Sequence, residues 1–265
     1  MSQQVTVTQT TTREETPLKP RVLVIIPAYN EEDSLGRVIR QVHEAVPEAD
    51  VAVVNDGSGD ATPEIAEGYG ATVLSLPCNL GIGSAMQTGF MFAHERGYDY
   101  AVQVDGDGQH DPEEIPELLA VIQSGDADVV VGSRYIEDRG YITPRVRRLG
   151  IVILANLISL IVRQRFTDPT SGFRVLNRRA FYFCANDYPF DYPEPESIVT
   201  FWRAGIRMCE IPVTMNPRYG GQSSITPLRS GYYMVKVIMS IVINLLRQRP
   251  KVVGEVSHVQ QLREG

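Results

Sequence analysis

The sequence has few cysteines and no long apolar run, and each shortage excludes a class of protein. It contains only Cys78, Cys184 and Cys209, whose odd number and wide spacing argue against a disulfide framework and a cysteine-rich metal motif. No apolar segment reaches the roughly 20 residues that a membrane-spanning helix needs. Residues 1–19 are polar, so we expect a disordered tail and no signal peptide.

Two common nucleotide-binding loops are also missing. No G-x-G-x-x-G follows the first strand-like run at residues 22–26, and no G-x-x-x-x-G-K-[S/T] occurs, which argues against a dinucleotide fold and a P-loop. An excess of basic residues is lacking too, because the formal net charge is -7. Nucleic-acid-binding proteins are usually basic. We therefore expect no nucleic-acid partner.

The first half of the chain alternates strand-like apolar runs with amphipathic helical segments. The runs are rich in β-branched residues and begin at residues 22, 50, 71, 100 and 128. Helical spacing of apolar residues appears between them, most clearly at 32–46. This alternation predicts an α/β fold with a mostly parallel central sheet flanked by helices.

Every one of these strand-like runs ends in a polar segment. In chain order the segments are AYNEE, NDGSGD, NLGIGSA, DGDGQHDP and GSRY. Ligands of open α/β sheets bind outside the carboxyl ends of the strands. Five polar segments in succession therefore predict a single polar cleft at that edge of the sheet.

The segment DGDGQHDP carries the strongest indication of a metal. Asp105, Asp107 and Gln109 alternate, so in an extended segment their side chains project to the same side. Hard oxygen ligands of this kind suit Mg²⁺ or Mn²⁺, which complete their shells with water and substrate phosphates. We expect Asp111 to cap the following helix, and His110 to be a surface or second-shell residue or a ligand.

The loops after the first two strands predict a nucleoside pocket. Asp56 ends the second strand in a turn made permissive by glycines, and its carboxylate can accept a hydrogen bond from a base N–H or a ribose hydroxyl. Pro27, Tyr29 and Glu31 follow the neighbouring strand. The alternative for Asp56 is a role in the turn alone.

Taken together, the motifs resemble those of a known enzyme family. IPAYNEE, VVNDGSGDAT, NLGIGSAMQTGF, QVDGDGQHDPEE, VGSRY and SGFRVLNR occur in order between residues 22 and 224. They are similar to the motifs of family 2 inverting glycosyltransferases of the GT-A fold. Within that family the chain resembles dolichyl-phosphate mannose synthase-like enzymes and bacterial relatives in polysaccharide assembly. The resemblance implies a GT-A catalytic domain over residues 20–226.

The resemblance implies a donor and metal role for the motif residues. The residues that would hold a nucleotide-sugar, with UDP, GDP and dTDP all open, are Pro27, Tyr29, Glu31, Asp56, Asn79, Gly81, Ser84 and Asp105. The residues that would ligate Mg²⁺ or Mn²⁺ bridging the donor diphosphate are Asp105, Asp107 and Gln109. The metal would stabilise the leaving diphosphate, so Asp107 counts as catalytic.

The second half of the chain would supply the acceptor side. Candidate phosphate or acceptor contacts are Arg134, Arg174, Arg218 and Ser223. Polyprenyl-phosphate-type members have an R-x-x-G-x-S-K pattern, and Ser224 stands here where that lysine would be. For each arginine the alternative is a surface or structural ion pair.

The acceptor decides whether a base is required. A sugar hydroxyl loses a proton as it attacks, whereas a lipid phosphate is already anionic. Glu194 and Glu196 are the candidate bases, and Glu196 matches the acidic position of the family better. Both can instead be structural acids of a loop.

Two apolar segments with basic flanks, 149–162 and 231–246, suggest docking at an anionic membrane surface. The second belongs to a predicted C-terminal apolar amphipathic helix over 227–250, before a polar tail at 251–265. The alternatives are packing on each other, on a second subunit of a homo-oligomer, or on a small membrane protein. We expect a cytoplasmic enzyme, peripheral at the inner face of the plasma membrane.

The sequence therefore predicts a metal-dependent inverting glycosyltransferase. Its acceptor would be a polyprenyl phosphate or a lipid-linked glycan of cell-envelope polysaccharide synthesis. The alternatives are transfer to a sugar hydroxyl with Glu196 as base, a sugar nucleotidyltransferase, or a non-catalytic nucleotide-sugar-binding scaffold. A nucleotidyltransferase would have a Gly-rich basic loop after the first strand, where AYNEE stands instead.

Overall fold

The computed structural model describes residues 19–139, 143–216 and 227–248. Within this part the strands form a seven-stranded sheet in the order β3-β2-β1-β4-β6-β5-β7. The strands are β1 (Val22–Ala28), β2 (Asp50–Asn55), β3 (Thr72–Ser75), β4 (Tyr100–Gln103), β5 (Val129–Ser133), β6 (Arg174–Asn177) and β7 (Met208–Pro212).

Eight α-helices in the described ranges flank the sheet. They are α1 (Leu35–Ala45), α2 (Thr62–Gly68), α3 (Ile82–Glu95), α4 (Ile115–Gln123), α5 (Arg145–Val162), α6 (Arg178–Asn186), α7 (Pro193–Ala204) and α8 (Pro227–Leu246). The predicted α/β class is confirmed. Asp111 also caps as predicted, because its carboxylate accepts the Glu113 N–H at the 3₁₀ turn before α4.

The sheet is parallel except for one inserted strand. β1 pairs in parallel with both β2 and β4, which brings their carboxyl ends to one edge. β6 runs antiparallel between β4 and β5, with Gln103 opposite Arg174, and β7 pairs in parallel with β5. The strands β6 and β7 are absent from the sequence prediction.

Both faces of the sheet are buried, which explains the unbroken apolar runs. Leu23 and Ile25 point into a core shared with α3, α6 and α7, while Val24 and Ile26 point into one shared with α1 and α4. Burying each such side chain contributes about 1.5–3 kcal/mol.

The helices α5, α7 and α8 form a group against the first of these cores. Leu154 and Ile158 of α5, Ile198 of α7, and Val237 and Ile241 of α8 are buried there. None of the helices in the described ranges is long and apolar enough to cross a membrane. Most of both predicted tails, 1–19 and 251–265, lies outside the described residues.

Candidate active site

A cleft of about 320 Å³ opens at the carboxyl ends of β1, β2 and β4. The polar segments after β1, β2, β3 and β4 contribute to its lining as predicted, but GSRY after β5 does not. It is lined by Pro27, Ala28, Tyr29, Glu31, Asp56, Asn79, Gly81, Ile82, Ala85, Asp105, Gly106 and Asp107. Seven of the eight residues predicted to hold the nucleotide-sugar are in this lining. The exception is Ser84, a residue of α3 whose hydroxyl donates to the carbonyl of Leu80 just before that helix.

Asp56 fixes one wall of the cleft. Its buried carboxylate accepts the N–H groups of Leu80 at 2.7 Å and of Gly81 at 2.9 Å. Gly57 has φ +70°, and a Cβ there would lie 2.6 Å from the Cys78 carbonyl carbon, so the loop packs directly on glycine backbone. Asp56 therefore holds the loop after β3, whereas the hydrogen bond within its own turn is made by Asn55, and Asp56 also lines the cleft.

The loops after β1 and β2 are joined by hydrogen bonds. The Asn30 N–H donates to Ser58 Oγ, and the Asn30 side-chain oxygen accepts the Gly59 N–H. The Glu31 N–H donates to Thr62 Oγ1. These bonds fix the backbone that carries Tyr29, whose ring remains 48% exposed at the mouth of the cleft.

The DGDG segment is a turn, so the prediction of an extended segment is wrong. β4 ends at Gln103, residues 106 and 107 form a turn, and Gly108 has φ 78°. The Asp107 carboxylate accepts the Gln109 N–H at 2.9 Å, which closes the turn. Asp105 and Asp107 line the cleft, whereas Gln109 is not part of the lining.

His110 lies behind Asp105 and is buried, which excludes the surface position. Its Nδ1 accepts the Asp105 N–H at 2.9 Å, its Nε2 lies 3.4 Å from Asp105 Oδ2, and its ring stacks on Phe173. Burial lowers the pKa of His110 to about 3, so the ring is neutral. The neutral His110 ring therefore contacts both the backbone and the carboxylate of Asp105.

The carboxylates of the cleft fit a divalent ion whose remaining ligands come from substrate and water. Asp105 and Asp107 supply hard carboxylate oxygens on one wall of the cleft. Across the described residues, no group of three or more His, Cys, Asp and Glu side chains is placed to hold a metal. Mg²⁺ and Mn²⁺ are commonly bound by one or two carboxylates together with substrate phosphates and water. The two aspartates therefore suit an ion that is shared with a diphosphate.

Arg134 forms a structural ion pair, which was the alternative to a phosphate contact in the sequence analysis. Its guanidinium makes a two-point contact with the fully buried Asp168 and a further hydrogen bond to Thr170 Oγ1. Asp168 is held in turn by its N–H, which donates to the Glu210 carboxylate. Burial raises the pKa of Glu210. The pair ties the end of β5 to the loop before β6.

Arg174 does not present a free guanidinium for phosphate, which corrects the prediction of an acceptor contact. The side chain is 2% exposed. Its N–H groups donate to the carbonyls of Ser171 and Glu194 and to Ser197 Oγ. Arg174 therefore joins β6 to the first turns of α7. Arg218 and Ser223 lie outside the described residues.

The two candidate bases, Glu194 and Glu196, interact with different groups. Burial raises the pKa of Glu194, and its carboxyl also interacts electrostatically with Arg174, Asp105 and Arg134. Glu196 instead hydrogen-bonds the Ser240 side chain of α8, and burial raises its pKa too. Glu194 thus interacts with charged residues near the cleft without being part of its lining, whereas Glu196 contacts α8, although the family position had favoured Glu196.

Comparison with protein families and curated proteins agrees with the motifs. The profile of the family described as "Glycosyl transferase family 2" matches residues 23–183. The chain is 34% identical to undecaprenyl-phosphate mannosyltransferase of Micrococcus luteus over 78% of this chain and 88% of that protein. It is 32% identical to polyprenol monophosphomannose synthase of Mycolicibacterium smegmatis over 82% and 85%.

A solved structure is similar in fold at lower identity. Glucosyl-3-phosphoglycerate synthase from Mycobacterium tuberculosis, in complex with Mn²⁺, UDP and glucosyl-3-phosphoglycerate, has a TM-score of 0.65 and 20% identity. The match covers 85% of this chain and 80% of that one. The resemblance predicted from the motifs, including the GT-A fold, is confirmed.

Proposed function

Since this chain belongs to glycosyl transferase family 2, we propose that it transfers a sugar from a nucleotide-sugar to a polyprenyl phosphate, with inversion and with Mg²⁺ or Mn²⁺. The observation that carries the proposal is the cleft, in which Asp105 and Asp107 stand beside the nucleoside wall formed by Tyr29 and Asp56. Two relatives named for polyprenyl-phosphate mannosylation support the acceptor.

The donor would lie along the cleft from Tyr29 to Asp107. The exposed Tyr29 ring offers a face for the base, while Asp56 and the loop it holds at Asn79 and Gly81 border the ribose and phosphates. Asp105 and Asp107 would hold the divalent ion. When bound, that ion neutralises charge on the leaving diphosphate.

The acceptor phosphate would need no base, because its attacking oxygen is already anionic. It would approach the anomeric carbon opposite the leaving diphosphate, and the bond to the sugar would form as the bond to the diphosphate breaks.

A sugar hydroxyl is the second candidate acceptor, and the position of Glu194 favours it. Burial with a raised pKa beside Asp105 and Arg134 is the setting of a general base. In that reaction Glu194, in place of Glu196, would take the hydroxyl proton.

A polyprenyl phosphate is held in a membrane, so the enzyme would work at a membrane surface. We place it, as a peripheral protein, at the inner face of the plasma membrane. Residues 20–226 would form the catalytic domain, and 227–250 would form the docking helix.

A donor screen tests the proposal. Radiolabelled UDP-, GDP- and dTDP-sugars are incubated with the protein, membrane lipid extract and Mn²⁺. We expect label from one donor to enter the organic phase and to stay in water when the metal is chelated. Label in a water-soluble glycan would contradict the phosphate acceptor and support the hydroxyl reaction.

Calorimetry separates the enzyme from a non-catalytic scaffold or a nucleotidyltransferase. We expect one nucleoside diphosphate to bind with Mn²⁺ and to bind at least about tenfold more weakly without it. Slow metal-dependent hydrolysis of the nucleotide-sugar should accompany binding. Binding without hydrolysis would indicate a scaffold, and release of pyrophosphate from a nucleoside triphosphate and a sugar phosphate would indicate a nucleotidyltransferase.

A further inference from the structure

Two polar residues of α8, Ser240 and Asn244, face α7. Ser240 bonds Glu196 of α7, and one turn later the Asn244 side chain donates to Thr200 Oγ1 at 2.7 Å. The Arg203 guanidinium donates to the Asn244 side-chain oxygen at 2.9 Å. We call this set of contacts between α7 and α8 the polar ladder.

The polar ladder leaves an apolar face of α8 outside. Val235, Met239, Val242, Ile243 and Leu246 recur at helical spacing and are 49–82% exposed. Since α8 also buries Val237 and Ile241, it has apolar residues both inward and outward, whereas a helix on the surface of a water-soluble protein normally has polar residues outward. The hydrogen bonds to α7 and the burial of Val237 and Ile241 hold α8 in this orientation.

The helix α5 has the same character. Its inner residues Leu154 and Ile158 are buried, yet Leu149, Ile153 and Leu160 on the outer side are 49–78% exposed. The two helices adjoin, because a Cβ on Gly150 of α5 would lie 3.5 Å from the sulfur of Met234 in α8. Large apolar surfaces of this kind mark sites of protein or membrane contact.

The distribution of charge indicates whether a protein or a membrane covers this apolar surface. Residues 139–167 and 211–254, which contain α5 and α8, hold none of the 32 acidic residues of the chain. They hold 12 of its 25 basic residues, although the whole chain has a net charge of -7. Exposed arginines stand at the ends of both helices: Arg145, Arg163, Arg165 and Arg247.

We infer that the outer faces of α5 and α8, which we call the docking face, insert into the headgroup region of a bilayer containing anionic lipids. Because α8 does not span a membrane, it would lie in the interface plane, with its apolar side chains among the acyl chains and the arginines at the headgroups. A second copy on this face would bring two basic surfaces together. The inference deepens the proposed function and rests on it for the presence of a membrane.

Vesicle co-sedimentation tests this inference without donor or acceptor, so its failure is distinct from failure of the proposed function. The full chain is mixed with vesicles of phosphatidylcholine alone or with roughly 30% phosphatidylglycerol. We expect binding to the anionic vesicles, little binding to the neutral ones, and release at about 1 M salt, where the Debye length is about 3 Å.

Two matched substitutions locate the contact. Met239→Glu changes a methionine of the docking face that is 58% exposed. Met91→Glu, the control, changes a methionine of α3 that is 46% exposed. We expect Met239→Glu to weaken vesicle binding at least about tenfold, since it removes an inserted apolar group and adds a repelled charge, and Met91→Glu to leave it unchanged.

Circular dichroism and thermal melting establish that both variants are folded. If Met239→Glu fails to fold, Arg163→Gln with Arg165→Gln serves in its place, and binding to the anionic vesicles should again fall. Equal binding of all folded proteins would overturn the inference. So would a wild-type dimer that Met239→Glu converts to a monomer, because a second copy would then cover the face.

Discussion

At the scale of single residues, Gly106 leaves the space that the Glu31 carboxylate occupies in the cleft. It separates Asp105 from Asp107, and a Cβ on it would lie 1.9 Å from Glu31 Oε2. Gly106→Ala must therefore displace the Glu31 carboxylate. Because that carboxylate is the far end of a flexible side chain, we expect the free energy of unfolding, measured by denaturation, to fall by no more than about 1 kcal/mol, while donor binding, measured by calorimetry, weakens.

Gly59→Ala is the matched control for that substitution. Gly59 lies in the loop after β2, and a Cβ there would meet nothing within 4 Å. Its unfolding and donor binding should remain as in the wild type. Equal effects of the two substitutions would show that loss of glycine flexibility, and not the contact with Glu31, is responsible.

Glu196 should affect stability in a pH-dependent way. Burial raises the pKa of its carboxyl, so above the ordinary value of about 4.3 the folded state keeps a proton that the unfolded state releases. The wild type therefore loses stability as pH rises through the raised pKa. Glu196→Gln stays neutral, so its melting temperature relative to wild type should increase with pH. A relative melting temperature that decreases with pH would contradict this account.

Residue types in the motifs were enough to predict the lining of the cleft, but not the partner of each side chain. The sequence places Asp56, Asp105 and Asp107 at strand ends, and the structure brings them into one cleft. It could not show that Arg174 is buried against carbonyls, because those carbonyls belong to residues elsewhere in the chain. The stacking of His110 on Phe173 depends on the same long-range packing.

At the scale of elements, hydrophobic pattern predicts the parallel strands and fails for the inserted one. β1 and β2 are runs of β-branched residues buried on both faces, which is the pattern of a central parallel strand. β6 has only four residues, one of them Arg174, and β7 reads MCEIP. Their short and mixed patterns do not distinguish strand from loop. Their place in the sheet depends on pairing with distant strands.

The polar stripe of α8 could be read from sequence, but its direction could not. Lys236, Ser240 and Asn244 recur every four residues, which defines one side of a helix without saying what that side contacts. The structure turns Ser240 and Asn244 toward Glu196 and Thr200 of α7, while Lys236 is exposed. An amphipathic pattern alone would have placed this side in water.

The polar ladder should hold α8 in place. Asn244→Ala removes the hydrogen bonds to Thr200 Oγ1 and from Arg203, each contributing roughly 0.5–1.5 kcal/mol. We expect faster amide hydrogen exchange in α8 while β1 and β2 remain protected. Asn156→Ala, at an exposed asparagine of α5, is the control and should leave exchange in α8 unchanged. Unchanged exchange in the Asn244 variant would show that apolar packing alone holds the helix.

At the scale of the whole molecule, α7 connects the cleft to the docking face. Its first turn carries both Glu194, which interacts with Asp105, and Glu196, which bonds Ser240 of α8, and the next turn carries Thr200 against α8. The acidic cleft and the basic apolar face are thus connected through the packing of α7. This arrangement suits a donor that arrives from water and an acceptor that stays in a membrane.

The central claim is metal-dependent transfer of a sugar to a lipid phosphate, with Asp107 among the metal ligands. The most direct measurement gives the purified chain a labelled nucleotide-sugar with either a polyprenyl phosphate or the same polyprenol without phosphate. Wild type is compared with Asp107→Asn and with Asp111→Asn, which changes a helix cap and keeps its capping ability.

The account predicts label on the polyprenyl phosphate only, dependence on Mg²⁺ or Mn²⁺, and a rate at least about a hundredfold lower in Asp107→Asn but unchanged in Asp111→Asn. Equal labelling of the unphosphorylated polyprenol, or full activity of Asp107→Asn, would contradict it.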